Sequence, residues 1–550
     1  MNDFRRTFLW VIFGISLILL WDQWQIHNGR QPTFFPGSTP PAVTASAPAS
    51  TGVPAAAPAA GASAAAAQPA QAASAPAAGQ NVTVTTDVYR LTFNTQGGSL
   101  VGAQLLQYPE ASNDRNSPPI VLLENAGSHV YEAQTGLAGG TLPNHLTPMQ
   151  LVGSVHNLAD GQDSLQVRFE SAPVGGVKLV KTYTLKRGSY AIGVQHSVVN
   201  VGTTAVSPQL YEQLVRDGSK APGGNRFYST FTGPAFYSSE GKYQKLTFED
   251  IDKGKVTLQK DSSDGYVAMV QHYFASAWLP AAGTARENYV RKVDGLYAAG
   301  QVMGLGQIAP GATKSVDTTL FIGPQDEQVM KALSPNLDLV KDYGWLTIIA
   351  RPLYALLTFL HGFLLNWGWS IVALVVLLKA AFYWLNHKAY SSMAKMKAIN
   401  PRIQALRERH KDEPQKMQQE MMRIYREEKV NPLGGCLPIM IQIPVFIALY
   451  WVLLASVEMR GAPWILWVKD LSTPDPFYIL PILMTLSSLL QVWLNPTPPD
   501  PMQAKMMWIM PLVFSVMFFF FPAGLVLYWL TNNLLSIAQQ WIINRRLGVQ

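Results

Sequence analysis

The stretch MMWIMPLVFSVMFFFFPAGLVLYWLTNNLLSIAQQWIIN, residues 506–544, runs for 39 residues without one Asp, Glu, Lys or Arg. A single membrane crossing takes about 20 apolar residues, so this run is too long for one span. Phe521-Pro522-Ala523-Gly524 breaks it into a tight hairpin, because proline removes a helix hydrogen bond and clashes with the preceding turn. Two antiparallel spans result, 507–521 and 523–544. A chain carrying such a run is expected to be a polytopic helical membrane protein.

Working toward the N-terminus, further apolar stretches give spans at 366–385, where Lys379 is the single charge, and at 436–456 and 477–494, which carry none. Arg5 and Arg6 precede another, Thr7–Trp21, within an anchor placed at 1–25. Fifteen residues is also the size of a signal-peptide core. Against cleavage, no A-x-A-like site follows closely, and the run closes on Trp21-Asp22-Gln23-Trp24, an interfacial aromatic pattern. The expected total is six spans. Residues 343–365 differ from these: Thr347, Arg351, Tyr354, Thr358 and His361 recur at helical spacing as a polar stripe on an apolar helix. That pattern predicts a helix lying in the interface, with Pro352 in the first turn of its regular part.

Basic residues orient the spans. The segment 386–432 holds eleven Lys and Arg, the loop 457–476 two, and the Pro522 turn none. Both termini, the segment 386–432, the loop 495–506 and the tail 545–550 are therefore expected in the cytosol, and whatever lies between the first two spans outside it. Within 386–432, Asn400-Pro401 and Glu413-Pro414 read as two helix starts, predicting a helical hairpin. Met396, Ile399, Ile403 and Leu406 face Met417, Met421 and Ile424 across its seam. A solvated arm with no binding role fits the same pattern.

Between the first two spans the text changes twice. Residues 26–81 form an expected unstructured linker; from Pro41 to Gln80 half of the residues are Ala and six are Pro. Residues 82–335 read as short strands with period-2 alternation, as in Tyr89-Arg90-Leu91-Thr92-Phe93 and Leu165-Gln166-Val167-Arg168-Phe169. They predict a large antiparallel β-sandwich.

Only 14% of the chain is charged, which argues against an ordinary soluble enzyme, and a net charge of +7 over 550 residues is too diffuse to suggest DNA binding. One cysteine, Cys436, excludes an internal disulfide framework and a multi-cysteine zinc site. No zinc-protease, nucleophile-elbow, phosphate-loop or dinucleotide motif occurs, so no metal, cofactor or catalytic residue is expected. What stands out is polarity within the membrane. Lys379 interrupts an apolar run about 18 Å by helix rise from Trp367. A cation there costs roughly 2.5–3.5 kcal/mol and marks a functional candidate, although its stem also reaches far enough to snorkel. Gln442, Ser487, Ser488, Gln491, Thr531, Asn532, Asn533 and Ser536 lie at comparable depth. Singly they suit helix–helix hydrogen bonds; together with Lys379 they suit a wet cavity. Phe477–Trp493 and Met507–Phe521 have only 17 and 15 residues, short enough to thin the bilayer beside such a cavity.

Three segments carry a resemblance: Tyr390-Ser391-Ser392-Met393-Ala394-Lys395-Met396, Glu428-Lys429-Val430-Asn431-Pro432-Leu433-Gly434-Gly435-Cys436-Leu437-Pro438, and Phe521-Pro522-Ala523-Gly524-Leu525-Val526-Leu527-Tyr528-Trp529. They resemble the YidC-type membrane protein insertases of the YidC/Oxa/Alb family. Gly265-Tyr266-Val267-Ala268-Met269-Val270-Gln271-His272-Tyr273-Phe274-Ala275 resembles the Gram-negative branch, which has a large periplasmic domain. The resemblance implies an inner-membrane insertase and chaperone rather than an enzyme, with five helices forming the core around a hydrophilic groove and a mutarotase-like sandwich outside. Lys379 stands where the family usually has Arg, and Gln442, Asn532 and Ser536 fall at or beside groove positions. Trp384 stands where some relatives carry Pro, so no kink is assumed there. The implied partners are nascent membrane proteins, the lipid bilayer and the Sec translocon with its accessory subunits. A ribosome or signal-recognition-particle receptor is expected to meet the hairpin at Arg402, Arg407, Arg409 and Asp412. Two rivals from other classes are a secondary transporter, which predicts an internal repeat, and an envelope enzyme with its site in the β-domain.

Overall fold

Alternation of buried and exposed residues along Tyr89–Asn94, Ser164–Ser171 and Ala191–Asn200 places one face of each strand in a core. The structure, a computed structural model, describes residues 53–54, 79–114, 116–127, 129–153, 157–219, 230–410, 413–428, 437–495 and 501–546. The expected anchor 1–25, most of the linker, Asp412 and Cys436 lie outside the described residues. Among those described, residues up to Lys341 form one compact unit and residues from Asp342 another.

The first unit is an antiparallel β-sandwich of two nine-stranded sheets, with the strands numbered in chain order from β1 (Asn81–Thr85) to β18 (Thr313–Pro324). One sheet runs β1-β2-β3-β4-β5-β10-β17-β16-β13 and the other β12-β11-β14-β15-β18-β9-β8-β7-β6. Four of these strands recur below: β5 (His129–Ala138), β10 (Gln209–Arg216), β16 (Arg286–Val293) and β17 (Leu296–Gly304). Phe93, Phe169 and Tyr183 cluster in the core, with ring centroids 4.8–6.3 Å apart.

Lys181, His196 and Glu212 are buried in the same core, each with at least one hydrogen-bond partner, although His196 Nδ1 and Glu212 Oε1 have none. Lys181 Nζ donates to the carbonyls of Gly97 and Thr135 at 2.6 and 2.7 Å. His196 Nε2 lies 2.9 Å from Thr135 Oγ1, and Glu212 accepts from Thr318 and Gln301 at 3.3 and 3.5 Å. Burial pulls Lys181 down to about 7 and His196 to about 3, and pushes Glu212 up to about 7. Each shift favours the neutral form of a group removed from water.

The second unit is helical: α1 (Thr347–Leu364), α2 (Trp367–Ala381), α3 (Tyr383–Arg409), α4 (Pro414–Glu427), α5 (Leu437–Ala455), α6 (Ile479–Leu494), α7 (Pro501–Phe518) and α8 (Ala523–Arg546). Its core packs Leu357, Ile371, Leu374, Leu449, Val452, Leu480, Met484, Val526 and Tyr528. Among the described residues, Gly344–Leu364 is long and apolar enough to cross a membrane alone, and the bent pair Trp367–Ala381 and Tyr383–Met396 makes a second candidate. Gln442–Ala455, Ile479–Leu494 and Ala504–Phe518 are shorter apolar helices. Gly344–Leu364 is the segment expected in the interface; its 21 residues would equally suffice for a crossing.

Two local expectations are corrected, and a bend appears that no expectation covered. Pro352 lies inside α1 and not in its first turn, because a 3-10 turn at Gly344–Leu346 and the Thr347 hydroxyl, donating to Gly344 O at 2.6 Å, start the helix earlier. Asn400-Pro401 does not start a helix: α3 runs through it with Pro401 inside and exposed, while Ile399 and Ile403 bury against Ile424 of α4. That packing offsets the missing proline hydrogen bond. Finally, the axis turns by 69° between α2 and α3 without a proline, at Phe382. The second proline start is different, since α4 does begin at Pro414.

Candidate functional site

Helix α2 is fixed at its first turn. Asn366 caps it by accepting from Trp369 N at 3.0 Å, and its amide donates to the carbonyls of Pro463 and Trp464. Gly368 faces the Trp464 ring so closely that a Cβ would lie 2.3 Å from Cδ1. Helix α8 is fixed in the same manner: Ala523 N and Gly524 N donate to Thr473 O and Leu471 O at 2.8 and 2.9 Å, satisfying two of the orphan donors of its first turn. These two anchored helices carry the cation and its partner.

Lys379, in the last turn of α2, donates from Nζ to Ser536 Oγ of α8 at 2.7 Å. Ser536 spends its own proton on Asn532 O, also at 2.7 Å, so its oxygen is left as an acceptor for the ammonium. From α5, Gln442 Nε2 donates to Tyr528 OH at 3.0 Å. Lys379, Gln442, Tyr528 and Asn532 line one cavity with Val375, Leu378, Phe382, Leu385, Asn386 and Val445. Its volume is about 10 Å³, close to the room needed for a single water.

The structure thus brings Lys379, Gln442, Asn532 and Ser536 together from three helices. Tyr528 was not singled out from sequence, yet it lies four and eight residues before Asn532 and Ser536, on the same face of α8. Asn533 turns the other way and donates to Ser487 and Ser488 of α6 at 3.3 and 2.9 Å, which is helix-to-helix fastening. On the hairpin, Arg402 pairs with Glu428 at 2.7 Å, Arg407 is half-buried and Arg409 exposed. Among the described residues no group of three His, Cys, Asp or Glu is placed to hold a metal ion.

The YidC periplasmic domain family matches residues 81–356, and the 60Kd inner membrane protein family matches residues 359–549. The chain belongs to the YidC membrane protein insertase family. A "Membrane protein insertase YidC" of Cupriavidus metallidurans is 56% identical over 99% of this chain and 98% of its own. One from Bordetella parapertussis is 55% identical over 100% and 99%. A solved structure described as an active YidC insertase with the first transmembrane domain resolved shares 19% identity at a TM-score of 0.38, covering 83% of this chain and 91% of its own. Family membership makes this an inner-membrane protein whose β-sandwich is the periplasmic domain.

Proposed function

We propose that this chain inserts nascent proteins into the inner membrane and assists their folding there, by partition and not by chemical turnover. The observation that carries the reading is a cation held by Ser536 at a cavity it shares with amides from three other helices. An intramembrane ammonium is retained where it does work, since its insertion cost is several kcal/mol. In this reading the chain crosses the membrane six times, with both termini and the 386–432 hairpin in the cytosol. A hydrophobic segment slides along the lipid-facing side of α5 and α7, and its short polar tail enters beside Lys379. The ammonium, Gln442 and Asn532 replace part of the tail's hydration and attract its acidic groups. The cavity has to widen to admit the tail, and the short spans α6 and α7 thin the bilayer it then crosses. Membrane potential adds about 2.3 kcal/mol per negative charge per 100 mV.

Nascent chains arrive from a ribosome or signal-recognition-particle receptor docked on the hairpin at Arg402, Arg407, Arg409 and Asp412, and the Sec translocon is a working partner for longer substrates. The identity of 55–56% to insertases over almost the whole chain favours this reading over a transporter or an envelope enzyme. Insertion of a single-span substrate into liposomes, with Lys379→Arg, Lys379→Gln and Lys379→Leu, tests it. Arg is expected to keep insertion, and Leu to reduce it most for substrates with acidic tails. Full insertion of every substrate by Lys379→Leu would remove the cation from the mechanism.

A further inference from the structure

The outer face of the β1-to-β13 sheet is not a plain solvent surface. Register places Gly136, Tyr211, Val302 and Glu287 in one row across β5, β10, β17 and β16, with Gln134, Gln213, Gly300 and Tyr289 in the next. Residues opposite one another share a face, so both rows look away from the core that holds Glu212 and Gln301. The two glycines make this face a receiving one: a Cβ on Gly136 would lie 2.6 Å from the Tyr211 hydroxyl, and one on Gly300 2.5 Å from that of Tyr289. The tyrosines lie down over the glycines and form a floor. His145 N donates to Tyr211 OH at 3.1 Å, and Tyr289 OH donates to Gln213 Oε1 at 2.7 Å, so both rings are held in place.

Val53 and Pro54 of the Ala/Pro-rich linker sit on this floor. Val53 packs against the cluster of Ala138, Tyr211 and Val302, which Tyr289 also packs against. Its carbonyl accepts from Arg291 Nη1 at 3.0 Å, and Pro54 is buried. Arg291 is aimed by the Tyr289 ring, whose centroid is 5.2 Å from its Cζ. The sequence makes Val53 distinctive: from Pro41 to Gln80 the residues are Ala, Pro, Ser, Thr, Gly and Gln apart from Val43 and Val53, and only Val53 precedes a proline. A β-branched residue before proline is confined to extended backbone, so the dipeptide presents its side chain and carbonyl with little entropy left to lose.

We propose that the outer face of this sheet is a docking groove for an extended Val-Pro segment, and that its occupant is the chain's own linker at Val53-Pro54. Docking divides the tether. A random coil of fifty residues reaches roughly 40 Å r.m.s. and one of 22, the number from Gln31 to Gly52, roughly 26 Å. Docking therefore shortens the free length of linker, and any other extended peptide has to displace Val53-Pro54 to enter.

Oxidative cross-linking of the full chain in lipid nanodiscs, with Cys436→Ser as background, tests this. Val53→Cys is paired with Val302→Cys, and the control pairs Ala65→Cys with Val302→Cys. Ala65 is nearer in sequence to the first strand, so a freely moving tether would favour the control. Docking predicts a disulfide rate at least tenfold faster from position 53, lost when Arg291→Gln is added with an unchanged melting curve. Equal rates, or a faster control, would overturn the proposal. Should Arg291→Gln unfold the sandwich, the comparison of positions 53 and 65 still decides.

Discussion

Ser536→Ala is the most informative single change in the helical unit, because its cost depends on whether Lys379 is present. The Lys379–Ser536 contact at 2.7 Å is a charge-assisted hydrogen bond, a class worth roughly 1.5–3 kcal/mol. Removing the hydroxyl leaves a half-buried ammonium without that acceptor, so Ser536→Ala is expected to cost about 1.5–3 kcal/mol. Lys379→Met removes the same bond together with the cost of burying the charge, and is expected to be near neutral or stabilising. Once Lys379→Met is in place, Ser536→Ala has little left to break and should cost less than about 0.5 kcal/mol. Reversible unfolding of the four proteins in mixed micelles, followed by tryptophan fluorescence, gives the coupling directly. An equal cost of Ser536→Ala in both backgrounds would show that the pair is not coupled and would refute the geometry on which the groove rests.

Gly368→Ala should destabilise the helical unit by roughly 1–3 kcal/mol, since the new methyl meets Trp464; the same unfolding assay reads it, and no loss would mean the α2 anchor is loose. Pro401→Ala should strengthen α3 by up to about 3 kcal/mol, through a restored hydrogen bond and a relieved clash. Slower hydrogen exchange of amides around Ile399–Ile403 is the expected sign, and faster exchange would contradict a continuous helix. Glu212→Gln tests the buried carboxyl of the sandwich. Native Glu212 holds its proton to about 7 while the unfolded chain releases it near 4.5, so this group's contribution to stability falls as pH rises between those values. Melting of variant and wild type across that range should show the gap moving in the variant's favour, and a constant gap would exclude the shift.

Much of this was legible because a few physical signals are local. Period-2 alternation marks strands such as Tyr89–Asn94 wherever one face is buried, and a lone Lys in an apolar run points to itself. Depth marked Lys379 and eight polar residues alike, and it was the family resemblance that narrowed these to Gln442, Asn532 and Ser536, which the structure brings together with Lys379. Features set by tertiary packing were not legible. Asn400-Pro401 has the chemistry of a helix start, and only the Ile399, Ile403 and Ile424 contacts carry α3 through it. The bend at Phe382 has no sequence mark, and Tyr528 reads as one more apolar-span aromatic until Gln442 is seen against its hydroxyl. Length and hydropathy single out Gly344–Leu364 while the shorter helices α6 and α7 fall below that threshold, so span count and interface placement rest on charge distribution.

The bend at Phe382 has a mechanical consequence. Helix α3 extends 27 residues beyond it, a rigid arm of about 40 Å. A rotation of about 10° at the bend would sweep the Arg409 end through about 7 Å, while Lys379, three residues before the pivot, would shift by less than about 1 Å. The hairpin and the cation thus sit on the long and short arms of one lever. A large displacement at the distal end of the hairpin would be geared down to the scale of a single hydrogen bond such as Lys379–Ser536.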